Sequence, residues 1–101
     1  MKLQILSTID LSYCKKELNK IKKFANYNYH IGSVSSLKKK IKKTNIYISN
    51  AGYVVDSNLL SDADNLKEIY SPSTGTDHID IDYLSKKEIK LYHIAKKIRL
   101  V

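Results

Sequence analysis

Apolar residues along the chain form short runs that alternate with segments in which they recur every three or four positions. The first run extends from Leu3 to Ile9. Four later runs have the same character: Asn26 to Ile31, Asn45 to Ser49, Leu66 to Tyr70 and Lys90 to Ile94. Short apolar runs bounded by polar turn residues predict strands, and the segments between them have a helical period. This alternation predicts an α/β domain with a parallel sheet.

The segment after the first run predicts an amphipathic helix. Asp10 or Ser12 can cap it, because a short oxygen-bearing side chain accepts from the free N–H groups of a first helical turn. Its apolar stripe is Leu11, Cys14, Leu18, Ile21 and Ala25. A solvated face is supplied by polar residues off this stripe, namely Lys15, Lys16, Asn19, Lys20, Lys22 and Lys23. Cys14 lies on the stripe, so we expect it to be a buried packing residue.

Three further helices follow the later runs. Ser33 or Ser35 can open the second, in which Val34, Leu37 and Ile41 face inward. A short helical turn is predicted at Ser57 to Leu60, and a fourth helix at Ile81 to Lys87. Right-handed crossovers between five parallel strands place helices on both faces of the sheet. The predicted fold is therefore a flavodoxin-like doubly wound sheet.

Composition limits the class of protein. The chain has 101 residues, 43% hydrophobic and 28% charged, which suits one globular domain. No apolar run approaches the roughly 20 residues of a membrane span. Cys14 is the only cysteine, so the sequence requires no oxidising compartment, and we expect a cytoplasmic protein.

The net charge of +8 raises the alternative of a basic interaction module that docks an acidic protein or a nucleic acid. Seventeen of the 18 basic residues are lysines and Arg99 is the only arginine. Arginine provides the bidentate contacts of specific readout, so the mix disfavours nucleic acid. Steep loss of binding with salt would distinguish a phosphate-driven partner. An FMN-binding flavodoxin is also disfavoured, because no glycine follows the first strand.

One stretch of the sequence resembles a known family. NLKEIY at Asn65 to Tyr70 leads into STGTDHID at Ser73 to Asp80. It resembles the D-isomer-specific 2-hydroxyacid dehydrogenases, in which an NLK-x-I strand precedes a GxGxD-x-ID loop. The loop after the third predicted strand, from Ser49 to Tyr53, is similar too. The match extends over roughly residues 45–94 at the level of motifs.

The resemblance implies a binding site for the carboxylate of a small 2-hydroxy or 2-keto acid. In the family, main-chain groups of the loop after the fourth strand grip that carboxylate. By resemblance this role falls to Ser73, Thr74 and Gly75, with a second candidate loop at Asn50, Ala51 and Gly52. Gly75 has no Cβ to block an anion. As an isolated motif, a Ser-Pro-Ser-Thr-Gly-Thr loop is usually only a turn.

Other residues of this stretch have simpler interpretations. Asp77 and Asp80 are expected to cap the following helix rather than to do acid–base work. His78 is expected to be exposed, without a catalytic or metal role. Glu88 stands where a glycine usually ends the helix in the family, so we expect a strained turn there.

The resemblance also implies what the chain lacks. In the family a Rossmann domain with a Gly-rich turn binds NAD after this segment, and none of the glycines here forms GxGxxG. Residues 1–94 are therefore interpreted as a substrate-binding half-domain, with Ala95 to Val101 as an unassigned tail. We expect no cofactor and no hydride transfer in this chain alone. A family C-terminal helix is also missing, which predicts an uncovered apolar patch and a possible homodimer.

Overall fold

The structure is a computed structural model that describes residues 2–50, 52–71 and 78–93. Strands and helices alternate through these residues. The strands are Leu3–Ser7 (β1), Ala25–Tyr29 (β2), Ile46–Ile48 (β3), Glu68–Ser71 (β4) and Lys90–His93 (β5). The helices are Lys15–Lys22 (α1), Val34–Ile41 (α2), Ser57–Leu60 (α3) and Ile81–Lys86 (α4). The predicted alternation of strands and helices is confirmed.

The strands form one parallel sheet in the order β2-β1-β3-β4-β5. This is the order of a flavodoxin-like sheet, so the predicted fold class is confirmed. The chain winds outward from β1 to β2 and then reverses to β3, β4 and β5. Because the crossovers are right-handed, the reversal places α1 on one face and α2, α3 and α4 on the other.

The main core lies under α2, α3 and α4. Leu6, Tyr47 and Ile69 project from adjacent strands on this face and are almost completely buried. Leu37 of α2 and Leu84 of α4 pack in the same cluster. Burying a side chain of this size stabilises the fold by about 1.5–3 kcal/mol. The core therefore fixes the helices of this face on the sheet and, with them, the loops at the strand ends.

Helix α1 is shorter than the sequence predicts. Asp10 accepts a hydrogen bond from the Ser12 amide at 2.9 Å, which makes a local turn, and the helix begins only at Lys15. Cys14 occupies the N-cap position without a capping bond, and it is half-buried rather than buried. Ala25 opens β2 instead of ending the helix. The predictions for the helix start and for Cys14 were wrong. Hydrogen bonds within the turn at Asp10 and Ser12 delay the helix, although the apolar period continues through this segment.

Other boundaries differ by one or two residues. The first two strands end at Ser7 and Tyr29, earlier than predicted. Gly32 follows β2 with a φ of 136°, a backbone conformation that favours glycine. Ser33, one of the two predicted caps, accepts from the Ser36 amide at 3.2 Å and starts α2.

The turn from α4 to β5 is strained, as expected. Glu88 has a φ of 59°, in the left-handed region. The Glu88 amide donates to the Ser85 carbonyl at 3.1 Å, and the Ile89 amide donates to the Leu84 carbonyl at 2.9 Å. Both bonds belong to the Schellman motif, in which glycine normally takes the left-handed position. The side chains of Leu84 and Ile89 are both buried in the core, which completes the motif.

The face that carries α1 is only partly covered. No residue of α1 is buried, and an apolar groove of about 480 Å³ lies beside the helix. Its floor includes Ile5, Ile46 and Ile48 of the sheet, and its walls include Ile21 and Tyr70. Because α1 crosses only from β1 to β2, no helix among residues 2–50, 52–71 and 78–93 covers the strands on the other side of β1 on this face. The sequence predicted an apolar patch that the segment 95–101 could cover, and that segment lies outside the described residues, so the prediction stays untested.

Candidate functional site

Buried polar side chains lie at the C-terminal ends of the strands, which we call the carboxyl edge of the sheet. Thr8, His30, Ser49 and Ser71 stand directly after or at the ends of neighbouring strands, and each is at most 5% exposed. The register places Thr8 beside His30 on one side and beside Ser49 on the other. Ser71 follows beside Ser49. We call these four residues the polar row, and it lies on the face covered by α2, α3 and α4.

The position of the polar row suits a ligand site. Open α/β sheets bind ligands outside the carboxyl ends of the strands, near the point where the strand order reverses. Here that point lies between β1 and β3, and Thr8 and Ser49 directly follow those two strands. One buried atom on each of two row members, Ser49 Oγ and His30 Nδ1, has no hydrogen-bond partner among the described residues. The polar row thus offers polar groups to a ligand bound at the C-terminal ends of the strands.

Asn50 ties the loop after β3 to the loop after β1. Its Nδ2 donates to the Thr8 carbonyl at 3.2 Å, and its Oδ1 accepts from the Gly52 amide at 3.1 Å. The Thr8 hydroxyl lies 3.4 Å from the same Oδ1. A Cβ at Gly52 would approach Asn50 Oδ1 to 3.3 Å, so glycine leaves room for this carboxamide. The hydrogen bonds of the Asn50 side chain therefore stabilise the conformation of its own loop.

Tyr53 holds the other side of the same loop. Its hydroxyl donates to the Gly32 carbonyl at 2.7 Å, and its ring packs against His30 with centroids 5.9 Å apart. His30 Nε2 lies 3.1 Å from the Ser33 carbonyl, which can only accept, so Nε2 carries the proton. The loop after β3 is thus fixed to the loops after both β1 and β2.

A backbone bridge joins the loop after β3 to the loop after β4. The Val55 amide donates to the His78 carbonyl at 2.7 Å, and the Asp80 amide donates to the Val55 carbonyl at 2.8 Å. Residues 72–77 connect Ser71 to His78 and lie outside the described residues, as does residue 51. The predicted contacts of Ser73, Thr74, Gly75 and Ala51 fall there. The described ends of the two candidate loops meet at one edge of the sheet.

Two titratable groups near this edge have shifted pKa values. The Ser12 amide stabilises the Asp10 carboxylate and lowers the pKa of that carboxyl. The exposed loop after β1 thus carries a negative charge, which disfavours a phosphate there and agrees with the argument against FMN. Burial raises the pKa of Tyr47 to about 12, with its hydroxyl 3.4 Å from Thr8 Oγ1. Tyr47 is therefore neutral beneath the polar row.

The structure tests several single-residue predictions. Asp80 accepts from the Tyr83 amide at 3.1 Å and caps α4, as predicted, whereas Asp77 lies outside the described residues. His78 is half-buried, not exposed, because its backbone joins the bridge to Val55. The described residues contain no cluster of three or more side chains suited to a metal ion.

The comparison with protein families decides the classification. Residues 5–97 match the family described as D-isomer specific 2-hydroxyacid dehydrogenase, catalytic domain. This chain belongs to that family. The match extends well upstream of the motifs around residues 45–94 and includes most of β1 and all of α1. The family assignment made from the sequence is confirmed, and nothing in the comparisons supports the alternative of a basic interaction module.

Solved structures of similar fold agree with this assignment. The dehydrogenase domain superposes on the PH0520 protein from Pyrococcus horikoshii OT3 with a TM-score of 0.78 and 24% identity. For D-lactate dehydrogenase from Aquifex aeolicus, complexed with NAD and lactic acid, the TM-score is 0.75 and the identity 25%. For the NAD+-bound 3-phosphoglycerate dehydrogenase of Entamoeba histolytica the values are 0.75 and 16%. No curated protein sequence matches the chain significantly.

This chain corresponds to only part of the length of the solved chains that it matches. Each of the three superpositions covers 90% of this chain. The chain spans 27% of the Pyrococcus and Aquifex chains and 32% of the Entamoeba chain. In the part of the chain that the structure describes, no helix has the length and apolar character needed to cross a membrane.

Proposed function

We propose that this domain is the substrate-binding half of an NAD-dependent D-2-hydroxyacid dehydrogenase and that its carboxyl edge binds a small 2-hydroxy or 2-keto carboxylate. The ligand carboxylate would accept from backbone amides of Ser73, Thr74 and Gly75. Asn50, Ala51 and Gly52 would supply the second group of contacts. In the Aquifex structure the bound acid is lactic acid, which has the size and chemistry that we propose here.

The bridge between Val55 and Ile79 is the observation that carries this proposal. It joins the described segment after β3 to the described segment after β4, next to the switch point between β1 and β3, and ligands of this fold class bind near such a point. Hydrogen bonds of Asn50 and Tyr53 fix the described residues of the loop after β3, which favours preorganised backbone groups there. Binding to fixed amides avoids the entropy cost of ordering a loop.

Hydride transfer requires groups that the described residues do not supply. The described glycines, Gly32 and Gly52, follow β2 and β3, and neither belongs to a Gly-rich turn that could approach a pyrophosphate. The ionised Asp10 after β1 would repel one. These residues do not fit NAD, so we assign the nicotinamide site to a separate domain. By itself the 101-residue chain is expected to bind the acid without oxidising it.

The apolar groove beside α1 suggests a surface that is covered in the working protein. In the family a C-terminal helix of the complete dehydrogenase returns to this half, and the groove offers it an apolar seat. A homodimer that buries the same groove is the alternative. The cytoplasm is the proposed location, which suits a free thiol at Cys14.

Thermal unfolding with a panel of 2-hydroxy and 2-keto acids tests the proposal. A ligand that binds only the folded state raises the midpoint by mass action. We expect one or more acids to raise it and neither NAD nor NADH to do so. Gly75→Val should abolish the rise, because a Cβ and its branches would block the backbone amides. The absence of a shift with every acid at saturating concentration would refute a retained carboxylate site.

A further inference from the structure

A second cleft lies between β2, at one edge of the sheet, and the C-terminal end of α2. Helix α2 runs antiparallel to the strands, so its C-terminal end lies near the N-terminal ends of the strands. The candidate carboxylate site lies at their C-terminal ends. We call this concave surface the α2 cleft, and its volume is about 280 Å³. Its lining includes Gln4, Leu6, Asn28, Lys40, Lys43 and Thr44.

Asparagines of β2 leave the cleft open towards α2, and Tyr29 at the end of the strand also lines it. The strand register places Asn26 beside Gln4 and Asn28 beside Leu6, so the two asparagines point to the α2 face. Helix α2 is anchored instead through Leu37 and Ile41, both fully buried. Leu6 is 2% exposed and closes the floor of the cleft. The result is a polar cleft with a rigid apolar base.

The charges around the cleft have one sign. Lys40 and Lys43 line it, and none of the described residues that line it carries a carboxylate. Among the described residues the ion pair of this region joins Lys42 to Asp62 at 3.8 Å, and neither residue lines the cleft. Lysines near a helix C-terminus also stabilise the helix dipole, which accounts for a basic last turn. That effect does not account for two lysines and two carboxamides around one acid-free cavity.

We propose that the α2 cleft binds a small phosphate monoester. Lys40 and Lys43 would neutralise the phosphate dianion, and the Gln4 and Asn28 carboxamides can donate to its oxygens. Thr44 is buried, and its hydroxyl donates to the Lys40 carbonyl at 3.0 Å. Its oxygen therefore stays available to accept from a ligand hydroxyl. The volume is near the lower end of the roughly 300–1,000 Å³ of ligand pockets, which suits a small ester.

This inference is independent of the proposed dehydrogenase function, since the two sites lie at opposite edges of the sheet. The test is a titration of the ¹⁵N-labelled chain with glycerol phosphate and with inorganic phosphate at constant ionic strength, followed by amide chemical shifts. We expect saturable shifts at Asn28, Lys40 and Thr44, with Kd on the order of 1 mM for the ester. Sodium chloride alone should not produce them.

Matched double variants separate a site from a general basic field. Lys40→Gln with Lys43→Gln should weaken ester binding at least tenfold. Lys38→Gln with Lys39→Gln removes the same charge from the same helix outside the cleft, and it should change Kd less than twofold. Asn28→Asp keeps both lysines and should also abolish binding by repulsion.

Three results would overturn the proposal. The first is a linear, non-saturating titration with the unmodified chain. The second is an equal loss of binding in the two lysine double variants, which would indicate only diffuse attraction. The third is retention of binding by Asn28→Asp. The amide spectrum of each variant shows whether the fold is intact, so a folding defect is not mistaken for loss of the site.

Discussion

Replacing Glu88 by glycine should stabilise the domain. Glu88 occupies the left-handed position of the Schellman motif that ends α4, with a φ of 59°. A residue with a Cβ in this region costs about 1–2 kcal/mol relative to glycine. Glycine also increases the entropy of the unfolded chain, which costs about 0.4–1 kcal/mol. The net expectation for Glu88→Gly is a gain of about 0.5–1 kcal/mol in the free energy of unfolding.

The structure indicates that little is lost by removing the side chain. Glu88 is exposed, and the ion pair found among the described residues does not involve it. The motif bonds from the Glu88 and Ile89 amides are backbone interactions that glycine keeps. For a domain of this size the gain corresponds to a rise of roughly 2–8 °C in the midpoint of thermal unfolding.

Urea unfolding of three variants measures this effect and isolates its cause. Glu88→Ala removes the same charge but keeps a Cβ, so it should not reproduce the gain. Glu17→Gly makes the same substitution in the first turn of α1, where it should destabilise by about 1 kcal/mol. The reasoning would be refuted if Glu88→Gly were no more stable than Glu88→Ala.

Three other substitutions probe the carboxyl edge. The pKa of Tyr47 is about 12 in the folded protein and 10 in the unfolded chain. Between these two pH values the hydroxyl ionises only in the unfolded chain, so the unfolded state becomes more favourable as pH rises. Stability should fall by about 2–3 kcal/mol between pH 10 and 12, and Tyr47→Phe should remove that part of the slope in urea titrations. Asn50→Asp loses the bond to the Thr8 carbonyl and should cost about 1–3 kcal/mol by the same assay, with weaker acid binding. Tyr53→Phe loses the bond to Gly32 and should cost about 0.5–1 kcal/mol in urea, while an unchanged stability would show that this bond contributes nothing.

The sequence predicted the fold through its periodicity. Buried strands such as β4 are short apolar runs, and α2 buries Leu37 and Ile41 at a spacing of four. Val34, which the same period predicts to face inward, is 46% exposed. The same rule failed at α1, because periodicity does not report the turn that Asp10 makes with the Ser12 amide. Local side-chain hydrogen bonds set where that helix begins, and they depend on geometry that spacing does not specify.

The candidate site was predicted less completely. The motif identified the loops, but Thr8, His30 and Tyr53 were missed because their partners are distant in sequence. The Tyr53 hydroxyl reaches the Gly32 carbonyl, 21 positions away, and Asn50 reaches Thr8 across 42. One signal was present: a polar residue follows each of the first three strands, at Thr8, His30 and Ser49. In a parallel sheet those positions converge at one edge.

An amide chemical-shift titration of the ¹⁵N-labelled chain with pyruvate tests the central claim most directly. A carboxylate held at the carboxyl edge should shift the amides of Asn50, Gly52, Tyr53 and residues 72–78 in a saturable way, and Gly75→Val should remove those shifts. Shifts confined to the lysine-bearing surfaces of α1 and α2, or no shifts at saturating pyruvate, would contradict the assignment of this edge as the substrate-binding site.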